Sequence, residues 1–159
     1  MTHLLYRQKS WIGKAYQIKD TINMSHYQPP KGQGPTSKPW VLLDGTPATC
    51  SNIALHNLYP GEIKLVVSGP NYGRNTSSAF ALSSGTVGAA MSASMAGVPA
   101  IALSYGIFDK PIPDGVVEKA NEIACTVIKK LCECIHQTTQ SPPSQLNVRM
   151  HTRGICLDR

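Results

Sequence analysis

The chain has 159 residues, 42% of them hydrophobic, which suits one globular domain with a core of its own and excludes global disorder. Fifteen Lys and Arg against nine Asp and Glu give a formal charge of +6, but the cations are scattered and aromatics are only 6%; the surplus fits a small anionic ligand and argues against a specific nucleic-acid partner. No apolar run approaches the ~20 residues of a membrane span, and the opening MTHLLYRQKSW lacks the apolar centre of a secretory leader.

In chain order, Met1 to Arg7 reads as the tail of a strand, and Gln8 to Lys14 as a loop carrying Ser10, Gly13 and two lysines. Tyr16 to Met24 alternates weakly and is expected to hold one or two short strands. His26 to Pro39, rich in Pro, Gly, Lys and Ser, reads as an exposed excursion. Trp40 to Leu43 is a short apolar strand. Thr46 then serves as N-cap and Pro47 as first residue of a helix running to about Asn57, broken by Tyr59-Pro60-Gly61. Ile63 to Val67 is expected to be a buried strand, and Ser68 to Ser83 a loop. Ser83 or Ser84 caps a helix of small residues from Val87 to Ala96, with Gly97 at the position just past its end. Pro99 to Ser104 reads as a second buried strand. After a loop to Pro113, Asp114 is the expected N-cap of an amphipathic helix from about Gly115 to His136, with Val116, Val117, Ala120, Ile123, Ala124, Val127, Ile128 and Leu131 recurring at helical spacing. Thr138 to Ser144 is a linker, Leu146-Asn147-Val148 the start of another strand, and 149–159 a tail without pattern.

The five cysteines, Cys50, Cys125, Cys132, Cys134 and Cys156, form no CxxC pair and no even framework. Cys132 and Cys134 stand near His136, but residues two apart on a helix point about 200° away from each other, which argues against a zinc site. Reduced thiols in a cytoplasmic protein are the expectation.

The central unit, strand–loop–helix–strand from Ile63 to Ser104, is the repeating piece of a parallel α/β sheet. Its loop is where a site is expected. A helix start at Ser84-Gly85-Thr86 offers free N–H groups, a hydroxyl and the positive end of the helix dipole, a setting that favours phosphate or carboxylate. Asn71 and Asn75 lie past the carboxyl end of the preceding strand, where open α/β sheets bind ligands. No G-x-G-x-x-G, Walker P-loop or G-x-S-x-G elbow is present, so dinucleotide binding and serine hydrolysis are disfavoured.

These residues resemble the SurE family of survival proteins, metal-dependent nucleotidases and acid phosphatases. Val66-Val67-Ser68-Gly69-Pro70-Asn71-Tyr72-Gly73-Arg74-Asn75 is similar to the family's strand followed by S-G-x-N-x-G-x-N. Ser84-Gly85-Thr86-Val87-Gly88-Ala89-Ala90 resembles its S-G-T-V-G-A-A helix start, and Gly97 to Ser104 its G-x-P-A-I-A-x-S strand. Gln8-Lys9-Ser10, Gly45 to Cys50 and Leu146-Asn147-Val148 are weaker matches in the expected order, and Trp11-Ile12-Gly13-Lys14-Ala15 looks like the eukaryotic, mainly fungal, branch.

The resemblance implies an α/β fold, a three-layer sandwich around a mostly parallel, Rossmann-like sheet. It implies a partial domain over residues 1–148 with a divergent tail at 149–159. It also implies a divalent metal, Mg or Mn, with Ser10 and Asn71 among its ligands, and a substrate phosphate at Asn75, Ser84, Gly85 and Thr86. The substrate would be a nucleoside monophosphate or small phosphate ester, and family members are homo-oligomers. The family's Asn-Asp-Asp-Gly, some thirty residues before the serine, has no counterpart here, and a family aspartate in the central loop is replaced by the Thr76-Ser77-Ser78 region. A fragment without its first strand, impaired as a phosphomonoesterase, is therefore expected. The alternative is a non-catalytic phosphate- or nucleotide-binding remnant or a gene-model fragment.

Overall fold

A computed structural model describes residues 9, 11–28, 39–106 and 111–140. Within them the chain runs β1 (Met24–Tyr27), β2 (Trp40–Leu43), α1 (Pro47–Ile53), β3 (Val66–Tyr72), α2 (Ser78–Ser83), α3 (Gly85–Met95), β4 (Ala100–Tyr105) and α4 (Val116–Gln140). The expected strand tail at Met1 to Arg7, Ser10, most of the Pro/Gly excursion, the centre of the loop after β4, residues 141–144 of the expected linker, Leu146-Asn147-Val148 and the tail at 149–159 lie outside the described residues; Thr138 to Gln140, expected in that linker, continue α4 past His136 instead.

Thr46 caps α1 as its sequence suggests: its side chain accepts from the Thr49 N–H, and Pro47 opens the helix. The helix widens into a π-helical turn over Ala54–Leu58, closed by the Tyr59 N–H on the Ala54 carbonyl at 2.9 Å. The small residues of α3 bury Gly85, Val87, Gly88, Ala89, Ala90, Ser92 and Ala93. They let α3 lie against α1 on one side and against β3 and β4 on another. Its end is a Schellman motif: Gly97, at φ 79, donates to the Ser94 carbonyl, and Val98 donates to the Ala93 carbonyl, both at 3.0 Å. This is the C-terminal stop expected at Gly97.

β3 and β4 pair in parallel, from Val66 opposite Ala100 to Tyr72 opposite Tyr105. Tyr105, Ala120 and Ala124 form a buried cluster with Leu103 packed against it, which seats the first half of α4 on β4. The Tyr105 hydroxyl donates to Asn121 Oδ1 at 2.6 Å across that contact. Helices packed on a parallel strand pair make the α/β, Rossmann-like arrangement expected for the SurE-like fold.

Several expectations are corrected. Tyr16 to Ile22 forms no strand. β1 begins at Met24 and pairs antiparallel with β2, Met24 opposite Leu43, so it falls where the excursion was expected to begin. Between Ser68 and Ser83 the chain is not one loop: β3 continues to Tyr72, and Ser77 caps the short helix α2 by accepting from the Phe80 N–H at 3.2 Å. β3 starts at Val66 rather than Ile63, and it is not buried, with Val67 42% exposed. Among the described residues β3 and β4 each pair along one edge only, and parallel strands are ordinarily covered on both sides. Gly115, not Asp114, leads α4, since its carbonyl accepts from Lys119 N–H at 3.0 Å. Val127 and Leu131 on α4 remain exposed.

Candidate functional site

The site begins with a register shift. Ser68 faces Ala102 and Asn71 faces Ser104, so β3 advances three residues while β4 advances two. The extra residue makes a bulge at Gly69, whose φ of 119 only glycine takes readily, and where a Cβ would strike the Leu103 carbonyl oxygen. Beyond the bulge the strand resumes, which places Asn71 inside β3 and level with Ser104, not past the strand as the sequence suggested. Asn71 Nδ2 donates to the Gly73 carbonyl at 3.2 Å, committing the nitrogen and leaving Oδ1 as the atom able to face a cation. Asn75 Nδ2 donates to Ser104 Oγ at 2.7 Å, and the Gly73 N–H to the Tyr105 carbonyl at 3.0 Å. Asn71, Asn75 and Ser104 thus gather at the carboxyl ends of the two strands. Ser104 was not read as a site residue from sequence, although its place at the end of a parallel strand was the available signal.

Because β3 and β4 are parallel and joined through α3, α3 runs back against them. Its first turn therefore lies at the same carboxyl-end edge. The choice of cap is resolved: Ser83 Oγ donates back to the Ala79 carbonyl at 2.7 Å within α2, while Ser84 Oγ accepts from the Val87 N–H at 3.3 Å. Ser84 is buried, at 8% exposure, and its hydroxyl is used in the cap. The donors left for a ligand are the N–H groups of Gly85 and Thr86, the first two of α3, together with the half-buried Thr86 hydroxyl.

Ser10 lies outside the described residues, but its neighbours are placed. The Lys9 carbonyl oxygen stands 3.4 Å from where a Cβ on Gly85 would be, and Gly13 N–H donates to the Ser83 carbonyl at 2.7 Å. Lys9 and residues 11–17 therefore lie across the first turn of α3. They are tied down by Lys9 Nζ on the Asp44 carbonyl and on Gln17 Oε1, and by Thr46 Oγ1 donating to the Ala15 carbonyl at 2.6 Å. Further along, the Tyr16 hydroxyl and Ser92 Oγ hydrogen-bond at 2.6 Å. On this segment Trp11 packs its ring 5.4 Å from that of Phe80, tilted by 48°.

Among the described residues no carboxylate hydrogen-bonds to Asn71, Asn75, Ser104 or the first turn of α3. Hydrogen bonds from the Asn23 side chain and backbone hold the Asp44 carboxyl below its usual range. Burial pushes the Cys50 thiol up, against the donor groups around it. Burial also raises the Tyr105 hydroxyl. Among the described residues no three of His, Cys, Asp and Glu come together as a metal cage. No described helix is long and apolar enough to cross a membrane.

A family model described as "Survival protein SurE" matches residues 6–152. The chain is 38% identical over 156 residues to a Saccharomyces cerevisiae protein named probable tubulin–tyrosine ligase PBY1, a match covering 78% of this chain and 21% of that one. It is 38% identical over 125 residues to the 5'-nucleotidase SurE of Pelobacter propionicus, covering 79% and 45%, and 37% identical over 94 residues to that of Campylobacter hominis, covering 59% and 36%. The chain spans less than half the length of these relatives.

Proposed function

This chain belongs to the SurE family, and from that premise we propose that it holds the phosphate of a nucleoside monophosphate or small phosphate ester, as the phosphate-binding part of a SurE-like phosphomonoesterase. The observation that carries the reading is the shared edge: the uncapped N–H groups of Gly85 and Thr86 open α3 at the end of the sheet where Asn71, Asn75 and Ser104 meet. Two N–H groups, the Thr86 hydroxyl and the helix dipole make a donor set for a phosphoryl group. Ser84 contributes by shaping the turn, its hydroxyl being spent on Val87. The relatives named 5'-nucleotidase support a nucleotide as the phosphate carrier.

The Mg or Mn implied by the resemblance is a different matter. The described donors at this edge are neutral, the Asn71 amide oxygen foremost. Hard divalent cations are held chiefly by carboxylates, with waters and substrate phosphates completing the shell. Neutral amide and hydroxyl oxygens do not fit that requirement. The same mismatch supports impaired turnover by this chain. Titration with inorganic phosphate and with AMP, beside p-nitrophenyl phosphate hydrolysis in Mg²⁺ or Mn²⁺, tests both halves. Saturable binding with hydrolysis near background is expected. Absence of any phosphate binding refutes the site, and rapid, chelator-sensitive hydrolysis refutes the impairment.

A further inference from the structure

The phosphate reading leaves one pair of side chains unused. Trp11 is 65% and Phe80 39% exposed, yet the rings lie together at 5.4 Å. Single exposed apolar residues are ordinary, but this pair is held firmly. Trp11 takes a left-handed φ of 62, uncommon for a side chain of its size. After it the backbone is held by the Gly13 N–H on the Ser83 carbonyl, and before it the Lys9 side chain is anchored on the Asp44 carbonyl. Its position relative to the first turn of α3 follows from the same contacts. Lys9, two residues before Trp11, lies against Gly85, and Gly13, two residues after, bonds to Ser83. Phe80 is four residues before Ser84, about 6 Å at the helical rise.

We propose that Trp11 and Phe80 form a stacking platform for the base of a nucleoside monophosphate whose phosphate sits at Gly85 and Thr86, an inference that rests on the phosphate reading and adds base recognition to it. Both rings are carried on backbone that adjoins the turn. A preset indole loses little freedom when a base stacks on it, and the helix start supplies the attraction for the charged end. Every base offers a π face, so the platform grips purines and pyrimidines alike and selects nucleotides over sugar phosphates.

The test uses Trp40→Phe protein, in which Trp11 is the one remaining of the two tryptophans. AMP, ribose 5-phosphate and inorganic phosphate are titrated by calorimetry and by indole fluorescence. AMP is expected to bind about 5- to 150-fold more tightly than ribose 5-phosphate, the range that stacking supplies, and to quench Trp11. In Trp11→Ala the ratio of the two affinities falls toward one. Because the ratio is taken within each variant, a general loss of folding does not imitate it; Phe80→Leu, which keeps an apolar side chain, gives a smaller drop. Equal binding of AMP and ribose 5-phosphate overturns the platform while the phosphate site stands. Failure of all three ligands overturns both. Self-association of the protein that Trp11→Ala abolishes, with no nucleotide preference, assigns the rings to a second copy and overturns the proposal.

Discussion

Gly88→Ala sets helix propensity against packing. In an open helix the change stabilises by up to about 1 kcal/mol. Here the added Cβ would meet the Gly13 carbonyl oxygen, with the carbonyl carbon at 2.6 Å and Lys14 Cα at 2.9 Å. All three are main-chain atoms, so no side-chain tip can swing aside. Over-packing of this kind costs about 1–3 kcal/mol, and immovable neighbours push it to the upper end. Lifting the segment also loosens the Gly13–Ser83 hydrogen bond, worth about 1 kcal/mol. The net expectation is a loss of about 2 kcal/mol or more. With a urea slope of about 2 kcal/mol/M, the unfolding midpoint falls by about 1 M. Ser94→Ala, on the exposed side of α3, is the control and stays within about 0.5 kcal/mol of the parent. A Gly88→Ala protein as stable as the parent, or more so, would refute the close approach of this segment to α3.

Three further outcomes follow from named contacts. Thr46→Ala removes the α1 cap and strands the Ala15 carbonyl beneath a residue only 3% exposed, so a loss of about 2 kcal/mol is expected by thermal or urea unfolding; a change under about 0.5 kcal/mol contradicts it. In a timed reaction with a thiol reagent at pH 7.5, Cys125, which is exposed, labels before Cys50, whose thiol is pushed up by burial; equal rates count against the packing of α1. Asp44 is held below the usual carboxylate value of about 3.9 by Asn23, so its contribution is present above that pH and lost as pH falls through the lower folded value. The stability gap between the parent and Asn23→Ala, measured in urea, should therefore be larger at pH 7 than at pH 3, and a gap that widens in acid contradicts the Asn23–Asp44 pairing.

Local chemistry made much of this fold legible in the sequence. Thr46-Pro47 and Ser84-Gly85 begin α1 and α3, and the Gly97 stop lies where the pattern placed it, because caps and stops are set by a few neighbouring residues. Trp40–Leu43 matches its expected strand. What local pattern could not show was set by distant partners. The length of β3 depends on a bulge fitted to Leu103, thirty-odd residues away, and β1 exists because β2 pairs with it. α2 was within reach, since Ser77 is a good N-cap for Ala79-Phe80-Ala81-Leu82, but the high Ser and Asn content around it reads as loop. The docking of residues 11–17 on α3 was hidden for the same reason: Gly13 and Gly88 are turn and helix glycines until their backbones are seen to touch. At the candidate site, Asn71 and Asn75 share the Ser104 edge, and the Ser84 hydroxyl turns inward to the cap, which the sequence did not show.

The most direct measurement is an amide-resolved NMR titration of the isotope-labelled protein with inorganic phosphate. Saturable shifts are expected, largest at the Gly85 and Thr86 N–H groups, with smaller ones at the Asn75 side-chain amide. Shifts confined to surface lysines, or no shift at Gly85 and Thr86 at saturating phosphate, would contradict it.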